Sequence, residues 1–413
     1  MSVKTEAIQN QSSPTVNLSL DASGNVATGA NLTVAGSATI PTMAGNPTFS
    51  GNPTFSGTPV FSNVPSLPSS MMFRNRIING DMRIDQRNAG ASVTVTASTY
   101  SVDRWYCASS VASKYSFQQT NASNPVGFSK CLGITSLSTY SSGSTDNFNL
   151  NQPIEGFNVS DLGWGAAGAQ TVTLSFWVRS SLTGTFSGSL SNASINRSYP
   201  FTFSIASANV WQYVSITIPG DTTGTWATDN TTGINLTFNL GCGSTLLGTA
   251  GAWAGANYKG VTGSVSLVGT SGATFYITGV QLEVGTVATP FERRLYGQEL
   301  ALCQRYYYRV TAPAVGSLLT TNGISQNSTT MLGITQFPVA MRAAPTALEQ
   351  SGTIAHYSVY TSSSVACNAL PTFSSATTWY AATNVTVAAN TANLPQWITA
   401  ASTSAYLGWS AEL

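Results

Sequence analysis

Between residues 73 and 296 the chain alternates apolar and polar positions with a period of two, bounded by turn clusters such as PGDTTG at 219–224. In TVTLSFWV, Val172, Leu174, Phe176 and Val178 fall on one side, and Thr171, Thr173, Ser175 and Trp177 on the other. In WQYVSITI, Gln212, Val214, Ile216 and Ile218 oppose Trp211, Tyr213, Ser215 and Thr217. In INLTFNL, Ile234, Leu236, Phe238 and Leu240 oppose Asn235, Thr237 and Asn239. One mainly apolar face per strand predicts an antiparallel β-sandwich. Trp177 and Trp211 fall on the faces away from that core. They are placed to stack on sugar or to seal a neighbouring subunit, and the subunit is the preferred reading.

The pattern breaks twice. ERRLYGQELALCQRYY at 292–307 holds good helix formers and predicts a short helix joining two β domains. Beyond Val310 alternation returns, ending in YLGWSAEL, and predicts a smaller β domain. Upstream, GNPTFS at 45–50, GNPTFS at 51–56 and GTPVFS at 57–62 repeat every six residues. An even period returns Phe49, Phe55 and Phe61 to one face of an extended chain. A single ribbon has no interior in which to bury that row, so the repeat predicts partner chains around an axis, three in number; a polyproline-like turn or a flexible linker are the alternatives. Phe49, Phe55 and Phe61, with Leu295 and Leu302 of the predicted helix, are the candidate trimer contacts. The fold expected is all-β: an extended trimeric shaft (1–70), a jelly-roll-like sandwich (71–296), then a linker helix and small β tip (297–413).

Composition narrows the function. Only 8% of the 413 residues are charged, against about 25% in an ordinary soluble domain, and Ser, Thr, Asn and Gly take their place. A net charge of +1 gives no electrostatic case for nucleic acid. No apolar run is long enough for a transmembrane helix, and the first 15 residues lack the form of a secretory signal. Cys107, Cys131, Cys242, Cys303 and Cys367 are odd in number and scattered, which predicts reduced, buried thiols with no metal or cofactor.

Catalytic groups are sparse. Glycoside hydrolysis needs two facing carboxylates. The close pairs are Asp81 with Asp85, among Arg74, Arg76, Arg83 and Arg87, and Glu155 with Asp161, flanking a predicted turn. Salt-bridged packing explains the first pair better, and capping or turn hydrogen bonds the second. His356, the single histidine, has no GxSxG and no neighbouring Asp, so it reads as a loop residue. These observations predict recognition without turnover. Sugar recognition needs flat rings beside amides and hydroxyls. Trp379 and Tyr380, between loop-like flanks, are the first candidates for a glycan platform; Trp397, Tyr357 and Tyr360 complete it. The alternative for each ring is core or subunit packing, which is the reading for Tyr406 and Trp409.

The run ITGVQLEVGTVATPFERRLYGQELALCQRYYYR at 277–309 resembles a segment of bacteriophage tail-fibre proteins, where it closes a carbohydrate-binding-module-like jelly roll and leads into a tip domain. NRIINGDMRIDQRNAG (75–90), YSVDRWY (100–106), FPVAMRAAPT (337–346) and AYLGWSAEL (405–413) resemble the same family, as do NQPIEGFNVSDLGWG and TVTLSFWVRSSLTGTFS within 151–187. The resemblance implies a homotrimeric virion fibre, assembled in the host cytoplasm. Its N-terminus would join another tail or baseplate protein, and its distal β domains would meet host polysaccharide or lipopolysaccharide. It transfers no ligand residues. A purely architectural tail component, and less favourably a polysaccharide-degrading tailspike, are the other readings.

Overall fold

A computed structural model describes the strands Ala7–Ile8, Leu18–Leu20 and Val26–Ala27 and residues 73–413 except 390. The chain divides into two units, Met1–Ser66 and Leu67–Leu413. In the first, the three short strands form an antiparallel sheet, pairing Ala7 with Ser19 and Ser19 with Ala27. The hexads, with Phe49, Phe55 and Phe61, lie outside the described residues.

The second unit is built on two six-stranded antiparallel sheets. One runs in the order Gln212–Ile218, Val172–Ser180, Thr274–Val284, Cys131–Ser136, Tyr115–Thr120, Val93–Thr94. The other runs Ser198–Ile205, Gly184–Ser191, Thr232–Asn239, Phe148–Glu155, Tyr106–Ser109, Thr99–Tyr100. The alternating residues meet between them. Val172, Leu174, Phe176 and Val178 are fully buried, as are Leu236, Phe238 and Leu240. Phe176 crosses the gap to meet Phe203 and Phe238, each edge-on at 5.1 Å. Rings in this arrangement gain beyond their area of burial. This is the all-β sandwich that the alternation predicts.

The outer faces are polar but largely covered. Thr173, Ser175, Thr237 and Asn239 are all buried. Over the second sheet, the segment 241–265 crosses the strands and satisfies their polar rows. Asn239 Nδ2 donates to Ser187 and Ser264 hydroxyls, Val261 N–H donates to Ser187 Oγ, and Tyr258 N–H to Ser198 Oγ. A buried hydroxyl or amide keeps its place only with such partners.

The helix is Tyr296–Gln304, shorter than the 292–307 expected. Residues ahead of it are held in tertiary contacts. Glu292 accepts the N–H groups of Phe73 and Asn75, and Arg294 donates to Ile77 and Asn75 carbonyls. Behind it, Tyr307–Thr311 has already become a strand. Leu295 is exposed and Leu302 half-buried within the chain.

That helix sits in a joint of buried charge. Arg104, 1% exposed, pairs with Glu412, gives a 2.5 Å bond to Pro153 O, and lies 3.6 Å over the Tyr306 ring. Arg87 also meets Glu412, at 3.3 Å. Arg342 ties Asn230 O to the carbonyls of Ala411 and Glu412. Glu155 corrects the turn-capping expectation: it is 1% exposed, accepts two bonds from Arg305 at 2.9 and 2.5 Å, and accepts the Tyr306 hydroxyl. Only chain folding could bring position 155 beside 305.

Beyond the joint, three small antiparallel sheets surround a second core containing Met331, Val385, Ile398, Leu407 and Trp409. Trp409 is fully buried, its ring stacked 6.4 Å from Tyr308 and edge-on to Phe337 at 5.7 Å.

Candidate functional site

Among the described residues, the aromatic rings at the surface of the second unit include two groups carried by its sheets and their turns. The first lies on the outer face of the sandwich. Trp177 and Tyr213 are direct cross-strand partners, with ring centroids 5.4 Å apart. Their side of the strand follows from the alternation that buries Phe176 and Val178. Two loops wall them in. Phe128 comes from the loop before Cys131–Ser136, and Phe291 and Arg293 from the segment following Thr274–Val284. Together with Ser175, Thr289 and Pro290 they line an open hollow of about 460 Å³.

The loops are fixed from beneath. Glu283, 1% exposed, accepts the N–H and hydroxyl of Thr289 at 2.8 and 2.6 Å, and Gln281 accepts the Glu292 N–H at 2.7 Å. Phe128 and Phe291 meet edge-on at 5.3 Å, and the Arg293 guanidinium lies 4.6 Å from the Phe128 centroid. Two glycines allow this. The pairing between Val172–Ser180 and Thr274–Val284 shifts register between Ser175 and Trp177. Gly279, at φ 63°, occupies the bulge, and a Cβ there would sit 2.7 Å from Phe128. Gly127, at φ 87°, passes so close to Arg293 that a Cβ would lie 2.8 Å from its guanidinium.

The second group lies on the small C-terminal sheets. Trp379 and Tyr380 occupy the turn between Thr372–Ala376 and Tyr380–Thr386, and are 58% and 41% exposed. The Thr377 hydroxyl accepts both of their backbone N–H groups, while Phe337 N–H donates to Trp379 O and Met341 N–H to Thr378 O. The turn is therefore pinned along its backbone while both rings are left open. Tyr360 and Trp397 are cross-strand partners on a different sheet, Tyr360 exposed and Trp397 half-buried. Tyr357 corrects the platform: it is 1% exposed, and its hydroxyl accepts Ser351 N–H and donates to Tyr406 O. The next residue but one of a strand faces the same side as its neighbour at i+2, so Tyr357 shares a side with the core residue Val359, not with Tyr360.

The other candidates have structural partners. Asp81 pairs with Arg83 at 2.5 Å, Asp85 accepts the N–H groups of Asn88 and Gly90, and Asp161 pairs with Arg76. His356 Nδ1 lies 2.9 Å from Ser351 Oγ. Trp211 donates to Ala122 O at 3.1 Å and packs on that loop. All five cysteines are free and buried, and burial pushes the thiols of Cys131 and Cys367 up to about 11.

No protein-family model and no curated protein matches the chain. Solved structures do. An arabinose-bound α-L-arabinofuranosidase is 12% identical with a TM-score of 0.31, over 52% of this chain and 27% of the enzyme. The enzymatically active domain of bacteriophage CBA120 tailspike protein 4 is 11% identical with a TM-score of 0.28, over 51% of this chain and 21% of that one. A family 11 carbohydrate-binding module from Clostridium thermocellum, in complex with a β-1,3-1,4-mixed-linked tetrasaccharide, is 12% identical with a TM-score of 0.25, over 49% of this chain and all of the module. The chain thus spans about a quarter of the length of the two larger proteins. Two of these are enzymes, and the expectation that the chain is not one is withdrawn on that finding. At such identities and TM-scores, none of them carries substrate, ligand or activity over to this chain.

Proposed function

We propose that the chain is a receptor-binding fibre of a bacteriophage tail that attaches the virion to host-surface polysaccharide or lipopolysaccharide. The observation that carries this reading is the ring-lined hollow on the sandwich: Phe128, Trp177, Tyr213 and Phe291 around a floor of serine and glycine, on loops fixed from below. Aromatic faces take the C–H side of a pyranose, and neighbouring hydroxyls and carbonyls take its polar edge. A site already ordered before binding loses little entropy when the ligand arrives. The open Trp379–Tyr380 turn on the tip offers a second such platform. The hexads support a homotrimer, in which three weak sites bind a repetitive surface far more tightly than one. The N-terminal region would then join the fibre to another tail or baseplate protein.

The test is an array of purified bacterial capsular polysaccharides and lipopolysaccharides probed with the full chain, with Trp177→Ala and with Trp379→Ala. Binding to at least one saccharide that either substitution weakens tenfold or more is the expected result. A folded protein that binds none, or binds identically in all three forms, overturns the reading.

A further inference from the structure

Among the described residues the hollow has one charged group, Arg293, and no carboxylate lines it. Among the described residues every other arginine donates to a carboxylate or a backbone carbonyl. Arg76, Arg83, Arg104, Arg197, Arg294 and Arg305 are examples with carboxylates, while Arg179 reaches Ala122 O and Arg309 reaches Arg87 O. Arg293 has ring faces instead. Its guanidinium lies 4.6 Å from the Phe128 centroid and 5.7 Å from that of Phe291, and Gly127 leaves room for it beneath. A guanidinium held by ring faces keeps its in-plane N–H donors free.

The neighbouring carboxylates are already engaged. Glu283 is taken up by Thr289 and Gln281, and Glu292 by the N–H groups of Phe73 and Asn75 with Arg294 alongside. In a chain with so few charges, the rim of this hollow is therefore a positive spot beside stacked rings. A neutral sugar would leave those donors to water. A sugar ring bearing a carboxylate would use both features at once, since a guanidinium matches a carboxylate with two parallel bonds.

Resting on the glycan reading of this hollow, we propose that its ligand is an acidic sugar: a pyranose of the uronic acid type, its ring against Trp177 and Tyr213 and its carboxylate on Arg293. The carboxylate bond has the strength of a charged hydrogen bond, which corresponds to about a ten- to hundredfold gain in affinity.

The experiment is titration of the full chain with a panel of acidic bacterial capsular oligosaccharides, each alongside its carboxyl-reduced neutral form of equal length. Arg293→Gln, an exposed substitution away from any core, and Trp177→Ala are run in parallel. The expected result is at least tenfold preference for the acid form, lost in Arg293→Gln, with Trp177→Ala weakening both forms. The preference should also shrink as salt is raised, because the charge is near solvent. Equal binding of acid and neutral forms, still sensitive to Trp177→Ala, would sink the acidic assignment and leave glycan binding at the hollow intact. Failure of a folded protein to bind either form, or binding indifferent to Trp177→Ala, would remove both.

Discussion

Glu412→Gln tests how the C-terminal sheets are held to the sandwich. In the native joint the Glu412 carboxylate is 5% exposed and meets two guanidinium groups, Arg104 at 1% and Arg87 at 8% exposure. Glutamine preserves the shape and removes the charge. Arg104 would then face a neutral amide oxygen in place of its counter-ion, with Pro153 O and the face of Tyr306 as its other partners. Leaving a buried charge without its counter-ion costs roughly 3–5 kcal/mol, whereas an exposed pair is worth less than about 1 kcal/mol. Burial decides between the two, so the larger figure applies. Denaturant unfolding of Glu412→Gln should show a loss in that range. Arg104→Met combined with Glu412→Gln should recover much of it, because the uncompensated cation is then gone. A loss below about 1 kcal/mol, or a double variant no better than the single, would refute the view that buried charge joins the C-terminal sheets to the sandwich.

Three further outcomes follow from the same structure. Burial pushes the Asp103 carboxyl up to about 6, against the pull of Arg87 and two Gln86 hydrogen bonds. Its proton is thus held more tightly folded than unfolded, so its contribution is fullest below pH 4 and is lost as pH rises through 6; the gap in melting temperature between Asp103→Asn and wild type should change steadily from pH 4.5 to 7, with wild type gaining on the variant toward acid, and the opposite trend would contradict the assignment. Gly279→Ala places a methyl 2.7 Å from Phe128 on a left-handed backbone, so titration should show saccharide binding weakened about tenfold or more, at a stability cost of roughly 1–2 kcal/mol; unchanged binding would show that the floor of the hollow is not the contact surface. The five thiols are free and buried, so a thiol reagent should react with none in the native protein and with five per chain in denaturant.

Much of the sandwich was legible because one-sided burial imposes a period of two: Val172, Phe176, Leu236 and Phe238 follow from it directly. The same alternation put Trp177 and Tyr213 away from the core. What it lacked was any signal for Phe128, Phe291 and Arg293, which reach the hollow from loops 49 and 114 residues distant from Trp177 by position number. Nor did it reveal that Thr173 and Thr237 are covered, since that depends on where the segments after Val284 and Asn239 run. Trp379 and Tyr380 are exposed as expected, but the Ser- and Thr-rich runs expected as loop flanks are paired strands, Thr372–Ala376 and Tyr380–Thr386, because β-branched and small polar residues suit an edge hairpin as well as a loop. Tyr357 was not separable from Tyr360 by composition, although strand parity places them on different sides. Glu155 was misread for a simpler reason: its partner Arg305 lies 150 positions away, beyond any local pattern.

The central claim is that a sugar ring lies against the rings of the sandwich hollow. A crystal structure of the full chain soaked with an oligosaccharide that it binds in solution tests this most directly. Density for a pyranose over Trp177 and Tyr213, between Phe128 and Phe291, is the result predicted. Density seated elsewhere, with that hollow holding only water, would contradict it.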